Sequence, residues 1–365
     1  MVVSGFRNLP HAVVDLDAPL IALVGENGQG KTNWLEAAGI VGTLRSFRSP
    51  RPAELITWGQ SSCSVDAVVQ SDGMVRKLTW AYTNGTRTLK RDDRAVDSLS
   101  WLSSFRASYF IPGDVAPIRG EPALRRALLD RAILAVDPKY LSLARDYRRV
   151  IDHKTALLKN PRSSEAELDV LDAQLVSLGA AVTSVRAQAI HDLSPIYSDF
   201  YETFASGEGS NIAYEPWLGE GDRTTLEERF SASLLKLRPR ERAIGRPLGG
   251  PHRDDVTFTV RGHPARAYAS QGQARSAVLA WKLAEIAVAR LAGEAPVFLL
   301  DDLGSELDPA RTARLLASLA SLNVQTILST TDQRFVPRGA MGGEVRVFHV
   351  RGGALESDAG AGDAG

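Results

Sequence analysis

Apolar positions along this 365-residue chain fall into three regimes. Near the start Ile21, Ala22, Leu23 and Val24 form a continuous apolar run, and Leu35, Ala37, Ala38, Ile40, Val41 and Leu44 then recur at helical spacing. This predicts a buried strand followed by a helix. Over residues 64–82 the pattern alternates. Residues 65–69 and 75–82 read as two strands joined through Ser71-Asp72-Gly73, and 86–90 with 95–96 as a further short hairpin turning at Asp92-Asp93. Such antiparallel strands flank a parallel core and do not join its centre.

The middle regime, residues 121–204, carries almost no strand signal and is rich in Leu, Ala and Arg at helical spacing. Asp137-Pro138 reads as an N-cap with proline at the first helical position. Asn160-Pro161-Arg162 breaks that helix, and Ser164 with Glu167 forms the capping box of the next. There Leu168, Leu171, Leu175, Leu178, Val182 and Val185 recur every three or four residues, a seam that packs a partner helix. With Leu143, Tyr147, Val150 and Leu157 on the preceding segment, an antiparallel helical hairpin is the simplest solution. Residues 207–224 read as a surface loop or irregular strand. Residues 225–243 read as a helix capped by Thr225 and Glu228, ending in the basic run Lys236, Arg238, Arg240 and Arg242, which is a solvated face before it is anything else.

The third regime mixes strands and helices again, with strands at 256–260 and 265–268, a helix over 273–291, an apolar strand ending in Asp301-Asp302, and a strand at 324–328. Residues 351–365 are Gly-, Ala- and Asp-rich and are expected to form a disordered tail. The fold class that follows is α/β. A P-loop head over 1–120 and 245–350 carries flanking antiparallel β-strands and an inserted, mainly helical lobe over 121–244.

The chemistry lies at the junctions of these elements. Gly25-Glu26-Asn27-Gly28-Gln29-Gly30-Lys31-Thr32, followed by Asn33, has the spacing G-x-x-x-x-G-K-T between the first strand and its helix, the context a phosphate-binding loop requires. Gly25, Gly28 and Gly30 reach backbone angles closed to other residues, so successive N–H groups can turn inward as an anion nest. Lys31 is assigned to the β- and γ-phosphates and Thr32 to Mg²⁺. Late in the chain Pro296-Val297-Phe298-Leu299-Leu300 delivers Asp301 and Asp302 at the carboxyl end of a buried strand, where α/β sheets place ligands. Asp301 would hold Mg²⁺ together with Thr32, and Asp302 would orient or deprotonate an attacking water. Ser270-Gln271-Gly272-Gln273 opens a helix, and a serine hydroxyl, a glycine N–H and a helix dipole make a second anion site. Taken alone, Ser270 is explained equally well as an ordinary N-cap.

Charge and composition constrain the partners less. The 43 basic and 43 acidic residues cancel, so any nucleic-acid contact has to come from charge segregated on the surface. Among the basic residues 8 are Lys and 35 Arg, a bias that suits phosphate recognition and that a GC-rich genome explains as well. The single Cys63 excludes an internal disulfide framework, and six histidines without ligand spacing argue against structural zinc. No signal peptide opens the chain and no apolar run approaches the roughly 18 residues of a membrane span, so a cytoplasmic protein with no membrane partner is expected.

The loop, the second anion site, the paired acids and the following Ser305-Glu306-Leu307-Asp308 occur in the order and spacing of an ABC-type ATPase head. Within that class the chain resembles the RecF family, bacterial recombination mediators related to SMC and ABC ATPases. The resemblance rests on Phe6-Arg7-Asn8, residues 25–33, Arg45-Ser46-Phe47-Arg48, Ile111-Pro112-Gly113-Asp114, and Arg125-Arg126 with Leu129-Asp130-Arg131-Ala132. It continues through Gly250-Pro251-His252-Arg253-Asp254-Asp255, Ser270-Gln271-Gly272-Gln273 and residues 299–308. Gly113 stands where the family more often has Glu, and Ser329-Thr330-Thr331-Asp332 where most ABC ATPases carry a histidine.

The resemblance implies an ATP-binding head that dimerises around two ATP molecules. Each nucleotide would lie between Lys31 and Thr32 of one subunit and Ser270, Gly272 and Gln273 of the other, with Arg7 close by. It implies a weak, DNA-stimulated ATPase used as a switch. An ATP-dependent homodimer would clamp DNA at single-/double-strand junctions or gaps and promote RecA loading in recombinational repair, with RecR and RecO as partners. Asp302, where related heads often use the longer Glu, suits slow hydrolysis. The basic residues offered as the DNA face are Arg45, Arg48, Arg51, Arg148, Arg149, Lys154 and Arg162. Two other classes compete. A metabolic P-loop kinase leaves segment 270–273 unexplained, and an ABC transporter subunit or SMC-type structural protein needs a membrane partner or a far longer coiled coil.

Overall fold

The computed structural model describes residues 1–71, 73–111, 113–205, 207–336 and 344–357. Asp72 of the expected hairpin turn, Pro112 of the 111–114 segment and residues 358–365 of the expected tail lie outside the described residues, as do the side chains of Ser305 and Glu306. The chain forms two compact units, Met1–Asp114 with Lys282–Gly365, and Val115–Trp281. The second unit runs past the expected boundary at 244 because strand Asp255–Val260 pairs along its whole length with Ser210–Glu215, which ties the segment after 244 to the helical lobe.

In the first unit, β1 (Leu20–Val24), β2 (Ala107–Phe110), β3 (Val297–Leu300), β4 (Thr326–Thr330), β5 (Val345–Arg351) and β6 (Ala354–Ser357) form a sheet in the order β6-β5-β1-β4-β3-β2. All neighbours are parallel except the β5/β6 pair. β1, β3 and β4 are buried along their whole length, which is why β1 and β3 read as unbroken apolar runs. A second, wholly antiparallel sheet runs Ala12–Val13, Val2–Ser4, Ser62–Ser71, Met74–Thr83, Thr86–Arg91, Arg94–Ala95. Asp92 and Asp93 take φ of 52° and 62° in its last two-residue turn. Helix α1 (Lys31–Thr43) shares one core with both sheets: its Trp34, Leu35 and Ile40 pack with Val65, Trp80 and Leu89 and with Ile21, Leu299 and Ile327.

Two expectations change here. Residues 351–357 are not tail, since Arg351 ends β5 and 354–357 form β6. Main-chain pairing with β5 supplies what their weakly apolar composition does not. Strand β4 extends to Thr330, so Ser329 and Thr330 lie inside the sheet and not after it.

The second unit contains α2 (Pro122–Val136), α3 (Tyr140–Lys159), α4 (Glu165–Phe204), α5 (Arg223–Ile244) and the first half of α6 (Gln271–Leu291). Ser164 and Glu167 cap α4 reciprocally. Tyr147, Val150 and Ile151 of α3 pack with Leu175 and Val182 of α4 and with Leu226, Phe230 and Leu234 of α5, so the seam serves two partner helices. Asp222, not Thr225, caps α5, its side chain accepting from the Thr225 N–H. Asp137 instead closes the turn before α3 by accepting from Lys139 N–H at 2.9 Å. Residues 265–268 are a helical turn begun by Pro264 and not a strand. Residues 210–215 are a regular strand, in the order His263–Pro264, Asp255–Val260, Ser210–Glu215. By length and composition α4 could cross a membrane, against the expectation that no such run exists. It packs along α3, α5 and strand Ser210–Glu215 and buries Asp172 and Arg186.

Lys154, offered as a DNA contact, is fully buried, with Nζ 2.6 Å from Asp172 and 2.7 Å from Glu241. Half of the basic run on α5 is committed as well, because Arg238 pairs with Asp169 and Asp172 at 2.6 Å and Arg242 with Glu165 at 2.6 Å. Removing one partner from such a cluster leaves a buried charge uncompensated. Lys154→Met is therefore expected to lower unfolding free energy by about 3–5 kcal/mol in urea melts, and Lys154→Met with Glu241→Gln to recover much of it. Equal losses in the single and double variants would refute the pairing.

Candidate functional site

The carboxyl ends of β1, β3 and β4 are set side by side by their pairing, in which Leu328 is opposite both Ala22 and Leu300. The loop that leaves β1 turns through Gly28 and Gly30, at φ of 81° and 108°, angles that favour glycine. Gly30 caps α1, and its carbonyl accepts from the N–H groups of Asn33 and Trp34. That leaves the N–H groups of Lys31 and Thr32 at the open end of α1, as an anion site requires.

A cavity of about 340 Å³ lies above this loop. Its floor is Asn27, Gly28, Gly30, Lys31, Thr32 and Asn33, and its far wall is Asp301, Asp302 and Ser329 with Arg48. Lys31 is nearly buried, and its Nζ donates to the carbonyls of Gly25 at 2.6 Å and Glu26 at 2.9 Å. Burial lowers its pKa, opposed by the charges of Asp302 and Asp301. Thr32 Oγ1 is 3.0 Å from both carboxylate oxygens of Asp301. Ser329 donates to Asp301 Oδ1 at 2.6 Å and accepts from the Asp302 N–H at 2.9 Å, joining the two acids to β4. Burial pushes the Asp301 carboxyl above the usual range, with Ser329 and Thr32 pulling it back. Asp302 takes φ of 51°, which turns the chain off the strand into the pocket wall.

These donors are all hard oxygens. A carboxylate and a hydroxyl at mutual hydrogen-bond distance beside a buried ammonium suit a divalent cation and a polyphosphate, and Thr32 with Asp301 are the residues that would hold the cation.

The remaining sequence candidates separate. Gly25, Glu26 and Gln29 do not line the cavity. Glu26 is exposed, and the Gln29 side chain accepts from the Gly352 N–H at 2.7 Å. Arg7 does not line it either. Its guanidinium grips the buried Glu36 at 2.9 and 2.8 Å and donates to the Glu54 carbonyl at 2.8 Å. Arg48 supplies the arginine of the wall, steered by Asn33 Oδ1 at 2.7 Å, while Asn33 donates to Asn8 at 2.6 Å. The sequence offered Arg48 only to DNA and a hydroxyl of Ser329-Thr330-Thr331 to the γ-phosphate, whereas Ser329 bonds the two acids. The clue to Ser329 was its place three residues past Thr326 in an apolar strand that ends beside β1. Ser270, Gly272 and Gln273 lie in the second unit at the start of α6. Ser270 Oγ accepts from the Gln273 N–H and Gln273 Oε1 from the Ser270 N–H, so the serine hydroxyl keeps its proton to donate. The Gln273 amide also donates to Glu208 at 2.8 Å.

The segment 249–255 forms no part of the cavity lining and knots the second unit together instead. Fully buried Asp254 receives Arg186 at 3.0 Å, the Trp217 N–H at 2.8 Å and the Tyr214 hydroxyl, while Asp255 pairs with Arg125 at 2.7 Å. A side chain at Gly249 would run into Trp217, and one at Gly250 into Phe230 and Tyr147.

The family model described as RecF/RecN/SMC N terminal domain matches residues 1–355. The chain belongs to the RecF family. It is 37% identical to the DNA replication and repair protein RecF of Geobacter metallireducens, over 90% of this chain and 91% of that one. With the RecF of Myxococcus xanthus it shares 36% identity over 98% and 97% of the two chains. A solved structure of the recombination mediator protein RecF with ATPrS, in the RecFOR pathway, superposes with a TM-score of 0.88 at 29% identity, covering 98% of this chain and 97% of that one. The Smc head domain of Pyrococcus furiosus superposes at 0.56 with 16% identity, covering 98% and 94%, a likeness of fold alone. The RecF-family architecture here is thus the α/β head shared with SMC proteins.

Two outcomes test this reading of the residues. Arg7→Ala should cost about 3 kcal/mol of stability by stranding Glu36, with Glu36→Gln restoring much of it. An unchanged melt with weakened nucleotide binding would make Arg7 a ligand instead. His252 is held near neutral by burial and by Arg253, its pKa pushed down to about 4. Between pH 6.5 and about 4 the unfolded chain takes up a proton that the folded one refuses, so stability falls as the solution is acidified. The loss should be roughly 3 kcal/mol in pH-resolved urea melts and should flatten in His252→Gln.

Proposed function

We propose that the cavity over residues 25–33 binds ATP with Mg²⁺ and hydrolyses it slowly, and that the bound nucleotide joins two copies of this chain on DNA. One observation carries the reading. Lys31 and Thr32 meet, in a single cavity, two acids of which Asp301 lies 269 residues downstream of Thr32. The RecF relatives, including one solved with ATP, support the nucleotide.

On binding, the Lys31 ammonium exchanges the carbonyls of Gly25 and Glu26 for phosphate oxygens, and the N–H groups opening α1 take the remainder. Mg²⁺, when present, neutralises phosphate charge, with Thr32 and Asp301 as its protein ligands. Asp302 orients the attacking water, and its short side chain keeps turnover slow. Arg48 adds a fixed positive charge at the wall. Ser270, Gly272 and Gln273 of a second copy close the site from the other side, so ATP binding favours the dimer and hydrolysis releases it.

DNA at gaps and single-/double-strand junctions is the ligand of the dimer, with DNA-stimulated turnover. RecR, RecO and RecA are the partners carried by family membership, in the cytoplasm at the nucleoid. Exposed arginines such as Arg45, Arg51 and Arg162 remain available to phosphates, whereas Lys154 does not.

Gel filtration with ATP and Mg²⁺ is expected to shift the wild type from monomer to dimer. Lys31→Ala should remain monomeric and lose at least ~100-fold in turnover. A dimer that persists in Lys31→Ala, or turnover driven by a small acceptor and not by DNA, would sink the proposal.

A further inference from the structure

The phosphate loop is also gripped by residues that do not line the cavity. Gly353 N–H donates to the Gln29 carbonyl at 2.7 Å, and Gly352 N–H to Gln29 Oε1 at 2.7 Å. Trp34, one turn into α1, donates its buried indole N–H to the Gly353 carbonyl at 2.9 Å. At the start of the loop Gly25 sits so close to β5 that a Cβ would lie 2.6 Å from the Val350 carbonyl oxygen. Gly353 itself has φ of +87°, and a Cβ there would come within 2.5 Å of the Asn8 carbonyl oxygen. The end of β5 thus reaches the loop at its first residue, and the turn between β5 and β6 reaches it at Gln29 and in the first turn of the helix.

Glycine-rich backbone has many conformations to lose, and only those with the N–H groups converging can hold a phosphate. A contact that selects the convergent conformation before ligand arrives lowers the ordering cost of binding. We propose that the Gly352–Gly353 turn is a positioning element of the nucleotide site, acting through Gln29, whose amide serves the loop's shape and not the nucleotide. The proposal rests on the ATP reading above and adds residues that the loop motif leaves undefined.

The test measures equilibrium binding of a fluorescent ATP analogue with Mg²⁺ to the full chain, in wild type, Gln29→Met, Gly353→Ala and the double variant. ATPase constants, thermal midpoints and hydrogen exchange of the nucleotide-free loop accompany it. Each single variant should bind about 5- to 10-fold more weakly, the free-energy scale of one or two hydrogen bonds. The double variant should be little worse than either single one, because both loosen the same turn from the loop. KM should rise with kcat unchanged, and exchange over residues 25–34 should quicken in Gln29→Met even where Gly353→Ala folds poorly. Affinity and exchange unchanged in Gln29→Met, with only the melting point lowered, would make the turn mere packing and overturn the proposal. So would weakened binding in Gln29→Met with slow exchange retained, which would place the Gln29 amide on the nucleotide. A wild type that binds no analogue would remove the ATP reading itself, and this proposal with it.

Discussion

A parallel sheet brings the ends of its strands to one edge, and the pairing of β1 with β4 and of β4 with β3 decides how far each end reaches. Because Leu328 is level with Ala22 and with Leu300, β3 ends two residues short of β1, and Asp301 leaves its strand beside Ser329, just below the loop after β1. Thr32 can then touch Asp301 across two strands, with Ser329 of the strand between them tying Asp301 to the Asp302 backbone. A slip of one residue in either pairing would reverse the facing of every side chain on that strand and take the serine away from both acids. The chemistry of the cavity is in this sense a property of register more than of any one residue.

Around that edge the structure commits charge to shape. Glu36, buried in α1, fixes Arg7 and is bonded by Ser46, which settles the segment that presents Arg48. In the second unit Asp254 and Lys154 play the same part for three helices and a strand. Buried ion pairs of this kind contribute little net stability against apolar replacements, yet losing one partner is costly. Their effect is to make one packing arrangement acceptable and its neighbours unacceptable.

The strong local signals in the sequence were legible: the loop with its strand and helix, the hairpins and the α4 capping box. The apolar seam named the α3/α4 contact but not α5, since period alone does not say how many helices share a stripe. Caps failed where two acceptors stood within three residues, as with Asp222 and Thr225, because only geometry decides which one reaches the free N–H. The role of Lys154 was invisible for a related reason: a lysine facing water and one facing two carboxylates are the same letter. Residues 351–357 misled because a strand held by main-chain bonds to β5 needs little apolar content of its own.

The route of the chain through the parallel sheet also has a cost in time. β1 lies near the amino end, but its two neighbours in the sheet, β4 and β5, begin at Thr326 and Val345. During synthesis the apolar segment Leu20–Val24 therefore emerges some 300 residues before anything can pair with it, while the whole of unit 115–281 is made in between. An unpaired strand of this composition invites wrong partners for as long as it waits. The nascent chain must spend that interval either loosely collapsed around α1 and the early antiparallel sheet or in the care of a chaperone.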